Sequence, residues 1–226
     1  MSRTIWLVRH GQRVDNVDKK WKANNEARSD DPELTIRGKQ QSHEVGKFFA
    51  NMNIEAVIVS PYTRCIETAA QIVAMMEKKP KICVEPGFME PLYLCKDPPT
   101  LPTMDKIKEY STEVDDSYKP VFEKVPPEPK GDLGCGDRVV KTFKEVAAKF
   151  PKGNIIIVSH GTPLANIHAF LKGHWKYVGQ CTISKVTDMY GKSYRLDYWS
   201  DKKHLSQAHD LHEDEVIVPR AAPSQA

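Results

Sequence analysis

"TIWLVRHGQRVDN", residues 4–16, sets five strand-forming residues directly against a cluster of charge. The first five have the near-continuous apolarity of a strand buried on both faces, the pattern of a parallel sheet covered by helices. The run ends in Arg9, His10 and Gly11, and Arg13 follows. A strand that only reaches the surface has no need of two arginines about an imidazole. A strand that delivers a site for a strongly anionic ligand does.

Two later segments repeat the grammar of β-branched run, turn and helical pattern. "EAVIVS" (55–60) precedes "PYTRCIETAAQIVAMM", with Ile66, Ala69, Ala70, Val73 and Met76 at helical spacing. "NIIIVS" (154–159) precedes "HGTPLANIHAFLKG", with Leu164, Ile167, His168 and Leu171 on one face. Ser60 before Pro61, and Thr162 before Pro163, read as N-caps followed by proline at the first helical position. Residues 137–150 add a helix whose apolar stripe is Val139, Phe143, Val146 and Phe150. This alternation predicts an α/β fold: one three-layer domain over residues 1–200 with a mostly parallel central sheet. Residues 86–133 hold most of the prolines and one short helical pattern, and read as a cap-like insertion. Residues 16–34 read as a polar loop, and 201–226 as a polar, mobile C-terminal tail.

At 226 residues the chain can bury a full core. A net charge of +3, scattered along the chain, gives no reason to expect a nucleic-acid partner. No apolar run approaches the roughly 20 residues of a membrane span, and the N-terminal run is too short for a secretory signal. Five cysteines without paired spacing predict neither disulfides nor a zinc site, and hence a reduced, cytoplasmic protein.

In open α/β sheets ligands sit beyond the carboxyl ends of the strands. There this chain delivers Arg9 and His10, then Arg64 at the start of a helix, then His160. Phosphate is the anion that arginine's planar fork matches. Metal ligation by the histidines is disfavoured, because their near neighbours are arginines that repel a cation. Cysteine-based phosphatase chemistry is excluded, since no cysteine has an arginine six places on. "GDLGCGDR" (131–138) imitates a phosphate loop but follows prolines rather than a strand, and reads as a turn and helix cap. His168 reads as a packed core residue, and Trp21 and Tyr93 as candidates for the mouth of the pocket.

"LVRHG", the Arg64 of "SPYTRCIETA" and the His160 of "IIIVSHGTP" resemble, in order, the three signatures of the histidine phosphatase superfamily, with its phosphoglycerate mutase-like fold. The resemblance covers about residues 4–172 and implies that His10 becomes phosphorylated, with no metal or other cofactor. Arg9, Arg13, Arg64 and His160 are then expected to hold the phosphoryl oxygens, with Gly11 and Gly161 beside them. The leaving oxygen needs a proton, and Glu85 and Glu90 both follow the strand "KICV"; spacing leaves both open, and the resemblance points to Glu90.

"RHGQRVD" with "VEPGFMEPLY" is most similar to the suppressor of T-cell signalling and ecdysteroid-phosphate phosphatase branch, departing from it at Gln12, at Pro91 and at "SHGTP". At this length no room is expected for the ubiquitin-associated and SH3 domains of those regulators. The expected activity is phosphomonoester hydrolysis, with aryl and alcohol phosphates, phosphotyrosine among them, as candidate substrates. The alternatives are a phosphoglycerate mutase-type phosphotransferase and a non-catalytic phosphate-binding module. Expected partners are a phosphorylated small molecule or a phosphoprotein, not nucleic acid or membrane; pairing into a homodimer is left open.

Overall fold

The opening stretch folds as read. In the computed structural model, which describes residues 2–189 and 191–213, β1 (Arg3–Arg9) is buried at every position except Thr4. After it come two single-turn helices, α1 (Val14–Val17) and α2 (Trp21–Asn24), and then α3 (Ile36–Phe49). Next are β2 (Ile54–Val59), α4 (Thr63–Ala74), β3 (Lys81–Val84) and the short α5 (Met104–Lys108). The chain continues through α6 (Gly136–Lys149), β4 (Asn154–Ser159), α7 (Gly161–Lys172), β5 (Ile183–Asp188) and β6 (Tyr194–Asp201).

The six strands form one sheet in the order β3-β2-β4-β1-β5-β6. The first four run parallel, and β5 and β6 are antiparallel additions at one edge. Successive side chains of a strand leave opposite faces, so each central strand feeds two cores. Trp6, Val8, Val57, Val59, Ile156 and Val158 face the side covered by α3 and α4, through residues such as Phe49 and Ile72. Ile5, Leu7, Ile58, Ile155 and Ile157 face Val139 and Phe143 of α6 and Leu164 and Ile167 of α7. Each such fully buried aliphatic side chain contributes ~1.5–3 kcal/mol. The helices change faces between α4 and α6, which opens a crevice at the carboxyl ends of β1 and β4, where ligands of such sheets bind.

Both helix starts differ from the sequence reading. Helix α4 begins at Thr63, not Pro61, because Asp31, from the 16–34 segment, accepts the Thr63 amide at 2.8 Å and its hydroxyl at 2.5 Å. A distant carboxylate thus does the capping and leaves Ser60 free for another bond. Helix α7 begins at Gly161 with His160 in the cap position. Pro163 then stands third in the helix, where its missing N–H removes no intrahelical bond.

The C-terminal stretch is also more ordered than its polarity suggests. Leu205 and Leu211 are buried, and His204 Nε2 lies 2.9 Å from the Cys181 carbonyl. The reading of a mobile tail is corrected for residues 202–213; residues 214–226 lie outside the described residues. The 86–133 insertion is anchored by Glu85. Its carboxylate accepts from the Tyr118 hydroxyl and from the Gly87, Val121 and Phe122 amides.

Candidate active site

Strand register builds the centre of the site. Arg9 of β1 pairs with Ser159 of β4, so the next residues, His10 and His160, emerge side by side although 150 positions separate them. Their ring centroids lie 5.2 Å apart, and both are fully buried. β2 flanks β4 on the other side and is followed directly by Ser60, whose Oγ lies 2.8 Å from His160 Nε2. The ring of Tyr62 stands edge-on to His160, and Cys65 Sγ approaches it at 3.5 Å.

His10 has a defined tautomer. Its Nδ1 lies 2.8 Å from the Gly11 carbonyl, which only accepts, so Nδ1 carries the proton and Nε2 keeps its lone pair. Nε2 is buried without a hydrogen-bond partner. Burial first, then the charges of Arg64, Arg9 and Arg13, hold His10 well below the usual imidazole range, so the ring is neutral at pH 7. Burial and Arg64 do the same to His160.

Glu90 Oε1 lies 3.6 Å from His160 Nδ1 and 4.0 Å from Arg64 Nη2, while Oε2 has no partner. Burial raises the Glu90 carboxyl above its ordinary value, against the pull of Arg64, Arg13 and Arg9. Since His160 is held neutral, the 3.6 Å contact is an imidazole meeting a carboxyl group, not an ion pair. Of the two acids left open by spacing, Glu90 is the one beside the histidines, and Glu85 is saturated by its four donors.

Three arginines surround this centre in different ways. Arg64 is buried over the Tyr62 ring, gives Nη1 to the Asp30 carbonyl at 3.0 Å, and leaves Nε unpartnered. Arg13 forks onto Asp15 at 2.8 and 2.9 Å. Arg9 donates to the Val178 and His212 carbonyls and stacks on Tyr177, with Nε unpartnered. The two glycines are demanded by packing. A Cβ on Gly11 would meet the Gly38 carbonyl oxygen at 2.5 Å, and one on Gly161 would meet the Tyr177 ring at 2.3 Å.

A cleft of about 130 Å³ leads to the centre, with Arg13, Arg64, Glu90, Asp15, Lys22 and Leu94 among the residues lining it. The mouth is therefore lined by Lys22 and Leu94, each one position beyond the expected Trp21 and Tyr93. A nitrogen of each histidine and an oxygen of Glu90 lie within 4.8 Å of one another, the one such metal-ligating group among the described residues. The charge of three arginines around it favours an anion there. Buried donors without partners, Arg9 Nε and Arg64 Nε, add to that preference, because an unmet buried donor costs about 1–3 kcal/mol. Ser60, Tyr62, Asp15 and Tyr177 were not expected here. Only Asp15, two places after Arg13, carries a local signal.

Fold and site together define an α/β protein with two buried histidines, three arginines and a carboxyl gathered at the switch point of its sheet. The chain matches the family described as "Histidine phosphatase superfamily (branch 1)" over residues 5–202, and it belongs to that superfamily. It is 30% identical over 199 residues to the ubiquitin-associated and SH3 domain-containing protein A of Homo sapiens, a match covering 72% of this chain and 30% of that protein. It is 26% identical over 218 residues to the ecdysteroid-phosphate phosphatase of Drosophila melanogaster, covering 76% of this chain and 27% of that one. The chain thus spans about 30% of the length of these curated relatives. In structure it is similar to the ecdysone phosphate phosphatase of Bombyx mori solved with tungstate, with a TM-score of 0.70 at 20% identity over 91% of this chain and 95% of that one. Among the described residues no helix is long and apolar enough to cross a membrane.

Proposed function

We propose that the chain is a phosphomonoester phosphatase that works through a phosphohistidine on His10. One observation carries this: His10 Nε2 is a buried, unprotonated nitrogen without a partner, among the unpartnered Arg64 Nε, Arg9 Nε and Glu90 Oε2. Phosphomonoester hydrolysis calls for acceleration of up to ~10²¹-fold, most of it from positioning and charge stabilisation.

In the first step the Nε2 lone pair attacks phosphorus in line, the P–N bond forms and the bond to the leaving oxygen breaks. Arg64, Arg13, Arg9 and His160 take up the charge spread over the phosphoryl oxygens. Glu90, whose carboxyl burial raises above its ordinary value, gives its proton to the leaving alcohol. In the second step Glu90, now a carboxylate, takes a proton from water. That water attacks phosphorus, the P–N bond breaks, and phosphate leaves. No step calls for a metal, since the arginines supply the positive charge.

The cleft opens past the half-exposed Leu94. That suits aryl phosphates, phosphotyrosine or a phosphorylated steroid of the kind named for two of the relatives, as a small molecule or on a protein. Purified protein with EDTA is expected to release phosphate from an aryl phosphate, and His10→Ala to lower the rate by ~10³-fold or more. Transfer between the hydroxyls of a phosphoglycerate without release would mark a mutase, and tight phosphate binding without turnover a binding module.

A further inference from the structure

The segment that carries Glu90 is held by an apparatus that the chemistry above does not use. After β3, residues 86–88 make one 3-10 turn and residues 92–94 another, with Met89, Glu90 and Pro91 between them. Such a short irregular segment has few backbone bonds of its own, yet it must present a carboxyl with sub-ångström accuracy.

Four successive carbonyls of the segment are taken by side chains from elsewhere. Arg138, two residues into α6, donates Nη1 to the Gly87 and Met89 carbonyls at 3.0 Å each, and Nη2 to the Glu90 carbonyl at 3.2 Å. The Ser159 hydroxyl, on the residue just before His160, donates to the Phe88 carbonyl at 2.8 Å. Arg138 spends its other two donors on Glu128 of the insertion, Nε to Oε2 at 2.8 Å and Nη2 to Oε1 at 3.1 Å. Glu128 Oε1 also accepts the Leu92 amide at 2.7 Å. All five N–H groups of the guanidinium are used, and both side chains are almost wholly buried.

A buried ion pair of this kind is a poor device for stability, because desolvating two charges offsets most of their attraction. What it supplies is geometry. The planar fork sets three carbonyls and a carboxylate in one frame, which a lysine cannot reproduce.

We propose that Arg138, locked to Glu128, is a positioning residue that aims the Glu90 carboxyl at the leaving oxygen. The role rests on the reading of Glu90 as the acid. It also ties the insertion to catalysis: Glu128 lies in the insertion, so a movement there would pass through the fork to the acid.

The test compares wild type, Glu90→Gln, Arg138→Met, Arg138→Lys, Glu128→Gln and the double variant of Glu90→Gln with Arg138→Met. Each is assayed on p-nitrophenyl phosphate, whose leaving group hardly needs a proton, and on glycerol 2-phosphate, whose leaving group does. Glu90→Gln is expected to lower kcat on the alkyl ester by about 10²-fold or more and on the nitrophenyl ester far less. Arg138→Met is expected to show the same asymmetry, with a loss of ~10 to 10²-fold on the alkyl ester. Arg138→Lys and Glu128→Gln should show smaller versions of it. The double variant should be no slower than Glu90→Gln alone.

Equal losses on both esters, or losses that add in the double variant, overturn the proposal. So does an Arg138→Met enzyme of full activity beside an impaired Glu90→Gln. A Glu90→Gln enzyme undiminished on the alkyl ester overturns the reading of Glu90 and this role with it. If Arg138→Met fails to fold, the asymmetry in Arg138→Lys and Glu128→Gln decides the matter.

Discussion

Helix α7 carries two histidines, one at each end of its buried course, and they make an instructive pair. His160 caps its N-terminus and His168 lies two turns further on. Both are fully buried, and burial holds both neutral, His168 down to about 3. They differ in neighbours. His160 has Ser60, Cys65, Glu90 and His10 within reach. His168 stacks on Trp199, and neither of its ring nitrogens has a hydrogen-bond partner. Desolvation alone therefore accounts for a neutral imidazole, and it says nothing about chemistry. What sets one end of the helix apart is the convergence of charged groups from other elements: Arg9 of β1, Arg64 of α4 and Glu90 of the segment after β3.

The sharpest way to break the contrast is to remove that charge. Arg64→Met is expected to lower kcat on an aryl phosphate by about 10² to 10³-fold, the usual loss when an electrostatic contact to a transition state is deleted. Arg64→Lys should recover only part of it, since the ammonium lacks the planar fork; steady-state kinetics decide, and near-wild-type rates in Arg64→Met would refute the assignment.

A second test uses pH. In the proposed mechanism His10 attacks as a neutral ring, and its range is lowered, so the acid limb of kcat/KM should fall well below pH 6.5 once the substrate's own ionisation is corrected for. In the same mechanism Glu90 donates as the protonated acid, and its range is raised, so the alkaline limb should lie above the ordinary carboxylate value of 4.5. Glu90→Gln should abolish the alkaline limb and leave the acid one.

The smallest effect belongs to the other end of the helix. In the unfolded chain His168 titrates near 6.5, and in the folded protein near 3. As pH falls through that window the unfolded state binds the proton first, and stability drops by ~1.4 kcal/mol per unit. His168→Leu removes the term. Urea unfolding should show a gain of ~1 kcal/mol at pH 8 and ~2 kcal/mol more at pH 5, with kcat unchanged. A fall in activity would mean that the two ends of α7 are not as separate as their neighbours suggest.

How far the site was legible follows from where each signal lies. Arg9, His10, Arg64 and His160 each stand at the end of an apolar run or the start of a helix, and such local punctuation is readable. Glu90 against Glu85 was not decidable by spacing, because the difference is which one meets Tyr118, Val121 and Phe122 of the insertion. The start of α4 departs from its local sequence signal because its capping group, Asp31, lies 32 residues away. Arg138, within the stretch that reads as a turn and helix cap, carries no local signal of its role, because the carbonyls it serves are about 50 residues upstream. Buried Leu205 and Leu211 stand singly among polar residues, a pattern that reads as tail.

By itself the order of residues determined the alternation of strands and helices, the two-faced burial of the sheet and the short list of groups able to handle a phosphoryl ester. Those properties follow from side-chain periodicity and local backbone preference, which act within a few residues. Only the tertiary structure decided which groups meet: the histidine tautomer, which carboxyl stands beside the histidines, the partners of each arginine and the fork behind Glu90. Parallel pairing of β1 with β4 joins positions 150 apart. No local preference records a register that is set by the packing of the whole sheet.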